Sequence, residues 1–245
     1  MDKNGLIQSK SPVETQIWLR QQMPVSRKWA YFDHAAVAPL PTNTRNSISN
    51  WLCQATEEGD AVWGEWSLNA EQLRRAGSQL IGADRSEIAL IANTTIGINI
   101  VAQGIRWRPG DNLVVPENEF PSNFLPWINL ERKGVEIRQL RVPQSGDIDL
   151  QSLEELIDSR TRLVAISWVG FSTGFRVSLD DVSEIVHRKG AMLLVDAIQG
   201  LGVFDMNVGR TSIDFVVADG HKWMLGPEGI GLYTFEKSAL MNLIR

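Results

Sequence analysis

Two hydrophobic rhythms divide the chain. Up to about Ala83, apolar residues recur every three or four positions in PVETQIWLRQQM (12–23), TNTRNSISNWLCQATEEG (42–59) and WSLNAEQLRRAGSQLIG (66–82). That spacing lines one side of a 3.6-residue turn and predicts three helices. From Ser86 onward the rhythm shortens. Seven apolar runs, EIALIA (87–92), NLVVP (112–116), VEIRQLRV (135–142), RLVAISWV (162–169), AMLLVD (191–196), DFVVA (214–218) and GIGLYTF (229–235), alternate with amphipathic stretches. Several runs are continuously apolar and rich in Val, Ile and Leu, the signature of strands covered on both faces. The stretches between them, TIGINIVAQGI (95–105), NFLPWINLERKG (123–134), LQSLEELID (150–158) and LDDVSEIVHRKG (179–190), read as helices, the last closed by Lys-Gly. The alternation predicts an α/β domain with a seven-stranded, mostly parallel sheet and helices on both faces, preceded by a helical segment. The last two runs are too close for a crossover helix on each side, so one strand is expected to run antiparallel.

Composition narrows the class without naming a function. The chain has 245 residues, 43% apolar and 22% charged, with a net charge of −5. That acidity argues against a nucleic acid or an anionic membrane as partner. No apolar run reaches membrane-spanning length, and MDKNGLIQSK at the start lacks the apolar stretch of a signal peptide. A single cysteine, Cys53, excludes an internal disulfide framework and suits a reducing cytoplasm. It reads as a buried packing residue of an amphipathic helix. Its three histidines, His34, His187 and His221, lack metal-ligand spacing, so no metal is expected. The tryptophans, including Trp63 and Trp66, read as helix-packing or interface residues, and ATEEGD as a solvated loop.

Ligands of open parallel sheets sit at the carboxyl ends of the strands. The run EIALIA leads into Asn93-Thr94-Thr95 and a helix start, where hydroxyls and free N–H groups either cap the helix or hold a phosphate. The run AMLLVD ends in Asp196, a carboxylate costly to desolvate unless paired. The run DFVVA leads into Asp219-Gly220-His221-Lys222, a glycine-rich loop around one lysine. A phosphate cradle, an acid and a lysine on one rim together fit pyridoxal phosphate chemistry. The lysine amine, neutral in a desolvating pocket, forms a Schiff base with the coenzyme aldehyde. The acid keeps the pyridine nitrogen protonated, so that the ring draws electrons from the substrate. Gln199, three residues beyond the acid, is in reach of the ring's phenolic oxygen.

The motifs TTIGIN (94–99), ENEFPSNFLPW (117–127), VDAIQG (195–200) and above all GHKWMLGPEGIG (220–231) resemble those of the class V aminotransferase family of pyridoxal-phosphate enzymes. That group contains cysteine desulfurases, selenocysteine lyases and isopenicillin N epimerases. The resemblance runs from YFDHAAVAPLP (31–41) to the last strand and implies the fold-type I large domain. It implies Lys222 as Schiff-base and proton-transfer lysine, Asp196 on the pyridine nitrogen and Gln199 on the phenolic oxygen. Thr94, Thr95 and His221 fall on the phosphate positions. Phe120 stands where desulfurases stack a histidine on the ring, able to stack but not to move a proton; its alternative is a core aromatic. Asp219 replaces a phosphate-binding serine and is expected to point away, cap a turn or bond elsewhere. Arg176 reads as a surface ion-pairing residue, Ser167 and Trp168 as pocket lining, and His34 as a substrate contact. The expected organisation is a helical segment over 1–83 and a coenzyme-binding domain over 84–245, without the family's smaller C-terminal domain and the arginine and cysteine it carries. The resemblance implies a homodimer acting on an amino acid, desulfurase-like or aminotransferase-like. An epimerase-like enzyme and a catalytically silent chain are the alternatives.

Overall fold

The computed structural model describes residues 11–236. The three expected N-terminal helices form as α1 (Pro12–Gln22), α2 (Thr42–Glu57) and α3 (Trp63–Ile81). Helix α1 opens on a capping box, in which Ser11 accepts from the Glu14 N–H and Glu14 reaches back to the Ser11 N–H. Helix α3 ends at Gly82, whose φ of 68° is the left-handed turn that glycine adopts without penalty. These helices depart from the sequence reading in one respect: α1 and α2 bury no residue at all. Trp51 and Leu52 of α2 face solvent, as do Trp63 and Leu68 in the first turns of α3. Cys53, expected to be buried, is exposed on α2 for the same reason. Of ATEEGD, the first part completes α2 and the rest forms a 3-10 turn at Gly59–Val62.

The sheet contains all seven expected strands: β1 (Ile88–Ile91), β2 (Asn112–Pro116), β3 (Glu136–Leu140), β4 (Thr161–Ser167), β5 (Met192–Asp196), β6 (Phe215–Asp219) and β7 (Gly231–Phe235). Their order is β1-β7-β6-β5-β4-β2-β3. β7 runs antiparallel to both β6 and β1, and the remaining pairs are parallel. The antiparallel strand anticipated from the short spacing is therefore β7. Between the strands lie α4 (Thr94–Gly104), α5 (Leu125–Ile128), α6 (Leu150–Leu156) and α7 (Leu179–Arg188). The stretch 123–134 is not one helix. Pro126 lacks an N–H and restricts the residue before it, and only the single turn α5 forms, followed by a 3-10 segment at Asn129–Lys133.

Two cores fill the two faces of the sheet, and strand alternation sorts residues between them. Val114, Leu193, Val195 and Val216 pack with Leu153 of α6 and Val182, Ile185 and Val186 of α7. Leu113, Val115, Leu194, Phe215 and Val217 pack on the opposite face with Ile98, Val101 and Ala102 of α4 and with Trp127. Each such side chain contributes roughly 1.5–3 kcal/mol when fully buried. The burial fixes the strand register, because a one-residue slip would turn these residues outward. Gly97 lets α4 sit close on β6: a Cβ there would lie 2.7 Å from Val217 Cγ1 and 2.8 Å from Ile91 Cδ1.

Candidate active site

The carboxyl ends of β5 and β6 and the end of β1 open into one cleft of about 560 Å³. Thr94, Thr95, Phe120, Gln199, His221 and Lys222 line it. A narrow crevice shares Thr94, Phe120, Gln199 and Lys222 with the cleft and leads down to Asp196. The seven residues that the sequence assigns to the coenzyme therefore meet in one place, although the chain between Thr94 and Lys222 passes through five strands to bring them there. Trp168, expected to line the pocket, lies in the core instead.

One end of the cleft is built from α4. Asn93 is its N-cap, and its side chain accepts from the Ile96 N–H at 2.9 Å. The N–H groups of Thr94 and Thr95 precede the first intrahelical bond, and with the helix dipole they favour an anion. The Thr95 hydroxyl is 2.7 Å from that of Ser122, whereas the Thr94 hydroxyl oxygen is buried without a hydrogen-bond partner. His221 Nδ1 is likewise buried without a hydrogen bond; it lies 3.2 Å from Asp219 Oδ1, outside bonding alignment. Buried polar atoms without partners are uncommon, and here they border a cleft that can receive an acceptor-rich group.

The narrow crevice holds the acid. Asp196 is 2% exposed, and the bond it receives from the Ile198 N–H measures 3.0 Å. Burial pushes its carboxyl up from 3.8 to about 7, with the acids Glu119 and Asp219 adding to the rise and Lys222 opposing it. The carboxylate thus lacks a sufficient counter-charge, which a protonated ring nitrogen would supply. Desolvation lowers the affinity of Lys222 for its proton, against the pull of Asp196 and Asp219. An amine biased toward neutrality is the form that condenses with a carbonyl. Lys222 Nζ lies 5.7 Å from the centre of the Phe120 ring, which meets Phe171 edge-on at 5.2 Å.

The loop carrying Lys222 is tightly drawn. Gly226 N–H donates to the Gly220 carbonyl, and Leu225 N–H to the Lys222 carbonyl. Leu225, at φ 58°, is the one non-glycine residue with positive φ among those described, a strain of about 1–2 kcal/mol. Asp219 turns back on its own loop and accepts from the Gly220 N–H at 2.9 Å, consistent with the expectation that it caps a turn.

Gln199 and the segment Tyr31–Pro41 form a unit that the sequence did not reveal. The Gln199 amide nitrogen donates to the Ala35 carbonyl, and its oxygen accepts from Trp223 Nε1, both at 3.0 Å. One amide hydrogen of Gln199 remains for the cleft. Ala38 N–H donates to the His221 carbonyl at 2.8 Å, and His34 stacks on Trp223 with ring centres 5.3 Å apart. His34 thereby joins the wall of this segment. Arg176 departs from its expected ion pair and lies over the Phe204 ring, 4.6 Å from its centre. Ser167 does reach the crevice, with its hydroxyl committed to Glu119 at 2.5 Å. Glu119 was passed over because no periodicity distinguishes an acid inside ENEFPSN; Ser122 and Phe171 were missed for the same reason.

The class V aminotransferase family model matches residues 30–244. The chain belongs to that family. It is 33% identical over 219 residues to a probable cysteine desulfurase of Methanothermobacter thermautotrophicus, covering 87% of this chain and 54% of the relative. It is also 33% identical over 225 residues to a cysteine desulfurase of Salmonella newport, covering 87% of this chain and 55% of the relative. The chain thus spans about half the length of the curated relatives it matches. Among solved structures, the cysteine desulfurase CsdA of Escherichia coli superposes with a TM-score of 0.84 at 28% identity, over 92% of this chain and 59% of that one. A cystine C–S lyase in complex with its product, cysteine persulfide, superposes with a TM-score of 0.85 at 25% identity, over 90% of this chain and 61% of that one. The sheet and its helices are those of the fold-type I enzymes of this class V group. No described helix is long and apolar enough to cross a membrane.

Proposed function

We propose that this class V chain binds pyridoxal phosphate and acts on an amino acid in the manner of a cysteine desulfurase or aminotransferase. One observation carries the reading: Lys222, with a weakened hold on its proton, and the under-compensated carboxyl of Asp196 border one crevice whose wall holds the partnerless Thr94 hydroxyl. The residues fit the coenzyme. When bound, it supplies an aldehyde that an amine can capture and a ring that withdraws electrons from the substrate. Lys222 would hold the aldehyde carbon and afterwards carry the proton of the substrate's Cα. Asp196 would hold the ring nitrogen, and its negative charge keeps a proton on that atom. The Thr94 and Thr95 hydroxyls, the α4 N–H groups and His221 would hold the phosphate, and the second amide hydrogen of Gln199 would face the phenolic oxygen. Phe120 would cover one ring face and keep water out.

Phe120 also favours a second reading. A phenyl ring moves no proton, so a desulfurase-like step that relies on a histidine at this position is weakened. Other class V reactions, an epimerase-like one among them, become the alternative, with any proton for the second face coming from a group other than Phe120. The exposed apolar positions of α2 and α3, Trp51, Trp63 and Leu68 among them, support a homodimer as part of this reading. Sedimentation would report the dimer.

The test is spectroscopic. Purified chain mixed with pyridoxal phosphate is expected to develop the visible band of lysine-bound coenzyme, absent in Lys222→Ala. Adding single amino acids should then shift the band for the true substrate class, and product analysis separates sulfur release from epimerisation. A wild-type chain without the band overturns the coenzyme reading; a band that no amino acid perturbs favours a catalytically silent chain.

A further inference from the structure

We propose that Glu119 is a positioning residue, a clamp that ties the Phe120 wall of the cleft to the carboxyl end of β4. The proposal rests on the coenzyme reading of the site. Glu119 lies in the turn after β2, immediately before Phe120, whose ring borders Lys222. Its two oxygens accept separately from one residue: Oε1 from the Ser167 N–H and Oε2 from the Ser167 hydroxyl, each at 2.5 Å. Ser167 is the last residue of β4 and pairs in register with Asp196, the last residue of β5. The clamp thus joins two segments separated by 48 positions at the point where the acid meets the crevice.

Two features distinguish this arrangement from an ordinary surface contact. The surroundings of the Glu119 carboxyl are desolvating enough to raise its proton affinity, although the two bonds from Ser167 counter the rise. A carboxyl held at such a cost by two short bonds to one residue is a poor choice for stability alone. Moreover, Phe120 is 42% exposed, so packing alone does not fix its ring. What fixes it is its neighbours: Glu119 through the backbone on one side, the 3-10 turn Pro121–Asn123 on the other, and Phe171 edge-on. Removing the clamp frees the wall that would cover the coenzyme ring and releases the end of β4 beside Asp196.

Glu119→Ala, Glu119→Gln and Ser167→Ala test this. In the coenzyme-free chain, hydrogen exchange is read over residues 117–127 and 165–171. Glu119→Ala should accelerate exchange in both segments and leave α7 unchanged, while Glu119→Gln, which keeps an acceptor for the Ser167 N–H, should stay near wild type. With pyridoxal phosphate, Glu119→Ala should raise the dissociation constant about tenfold and diminish the circular dichroism of the bound ring, with Glu119→Gln recovering most of both. Ser167→Ala, which loses one of the two bonds, should fall between. Wild-type exchange in Glu119→Ala overturns the clamp, as does a Glu119→Gln variant no better than Glu119→Ala. The exchange arm needs no coenzyme, so a wild-type chain that binds none would sink the functional reading and leave the clamp to be judged on its own.

Discussion

Replacing Asp196 by asparagine in the coenzyme-free chain measures the electrostatic burden of the crevice. Burial raises the carboxyl from 3.8 to about 7. That rise corresponds to about 4 kcal/mol, at about 1.4 kcal/mol for each pH unit. Its sign follows from proton counting. Between 3.8 and about 7 the folded chain keeps a proton that the unfolded chain has already released, so stability falls as pH rises through that window and is level on either side. Asparagine carries no charge and removes the slope. The stability of Asp196→Asn relative to wild type should therefore improve by about 2–3 kcal/mol between about pH 5 and pH 8, groups not coupled to Asp196 cancelling in the difference. Urea denaturation of both proteins at several pH values reads this directly. With pyridoxal phosphate the order should reverse, because a ligand that binds the folded wild type alone stabilises it in proportion to the logarithm of its concentration. A difference that stays constant with pH, or that moves against the variant at high pH without coenzyme, refutes the reasoning.

Thr94→Ala should show opposite signs in the two states. The coenzyme-free chain loses a buried hydroxyl without a partner and should hold or gain stability, whereas pyridoxal phosphate should bind more weakly by about 1–3 kcal/mol, read by thermal melting and titration. Gly97→Ala places a methyl against Val217 and Ile91 and should destabilise by about 1–3 kcal/mol, with a further loss of coenzyme affinity as the start of α4 shifts. Away from the cleft, His187 Nε2 lies 2.8 Å from Asp214 Oδ2, and this hydrogen bond raises the histidine above its ordinary 6.5. Its contribution is complete below that value and lost as pH rises through the raised one, so His187→Ala should cost more stability at pH 6 than at pH 9, read by urea denaturation at the two pH values.

Most of the sheet was legible because its physics is local. Val, Ile and Leu runs such as LVV and MLLV have no stable place except between two helical layers, and the close spacing of the last two runs forced β7 to turn back. The seven cleft residues were legible because each lies in a motif at a strand end. What escaped was long-range. The same three- and four-residue periodicity describes α7, which buries Val182 and Val186, and α2, which buries nothing. Periodicity reports that a face is apolar; it does not report what covers it. Cys53 was misplaced by that gap. Glu119 and Ser167 form their clamp across 48 positions, and the double engagement of Gln199 by Ala35 and Trp223 depends on how the N-terminal segment folds back. Side-chain partners of this kind have no period and leave no trace in composition.

The charged groups of the cleft share a direction that ties these details together. Without a ligand, Asp196 is driven toward its protonated form and Lys222 toward its free amine, so each is pushed away from the charge it carries in water. An ion pair built for stability shows the reverse, each partner holding the other charged. Asp158 near the base of β4 does so: its hydrogen bonds, to Asn112 first and then to the Arg160 backbone and Arg138, hold it well below the usual carboxylate range. Two groups under opposite strain in one crevice, with an anion-ready helix start beside them, ask for a ligand that carries its own positive ring atom, its own anionic tail and a carbon that an uncharged amine can attack. On the proposed reading, the ring cation of a bound coenzyme would favour the ionised form of Asp196, and the neutral form of Lys222 that burial favours is the one that would react with its aldehyde. On that reading one ligand would relieve both shifts at once, which no ion pair between the two side chains alone achieves.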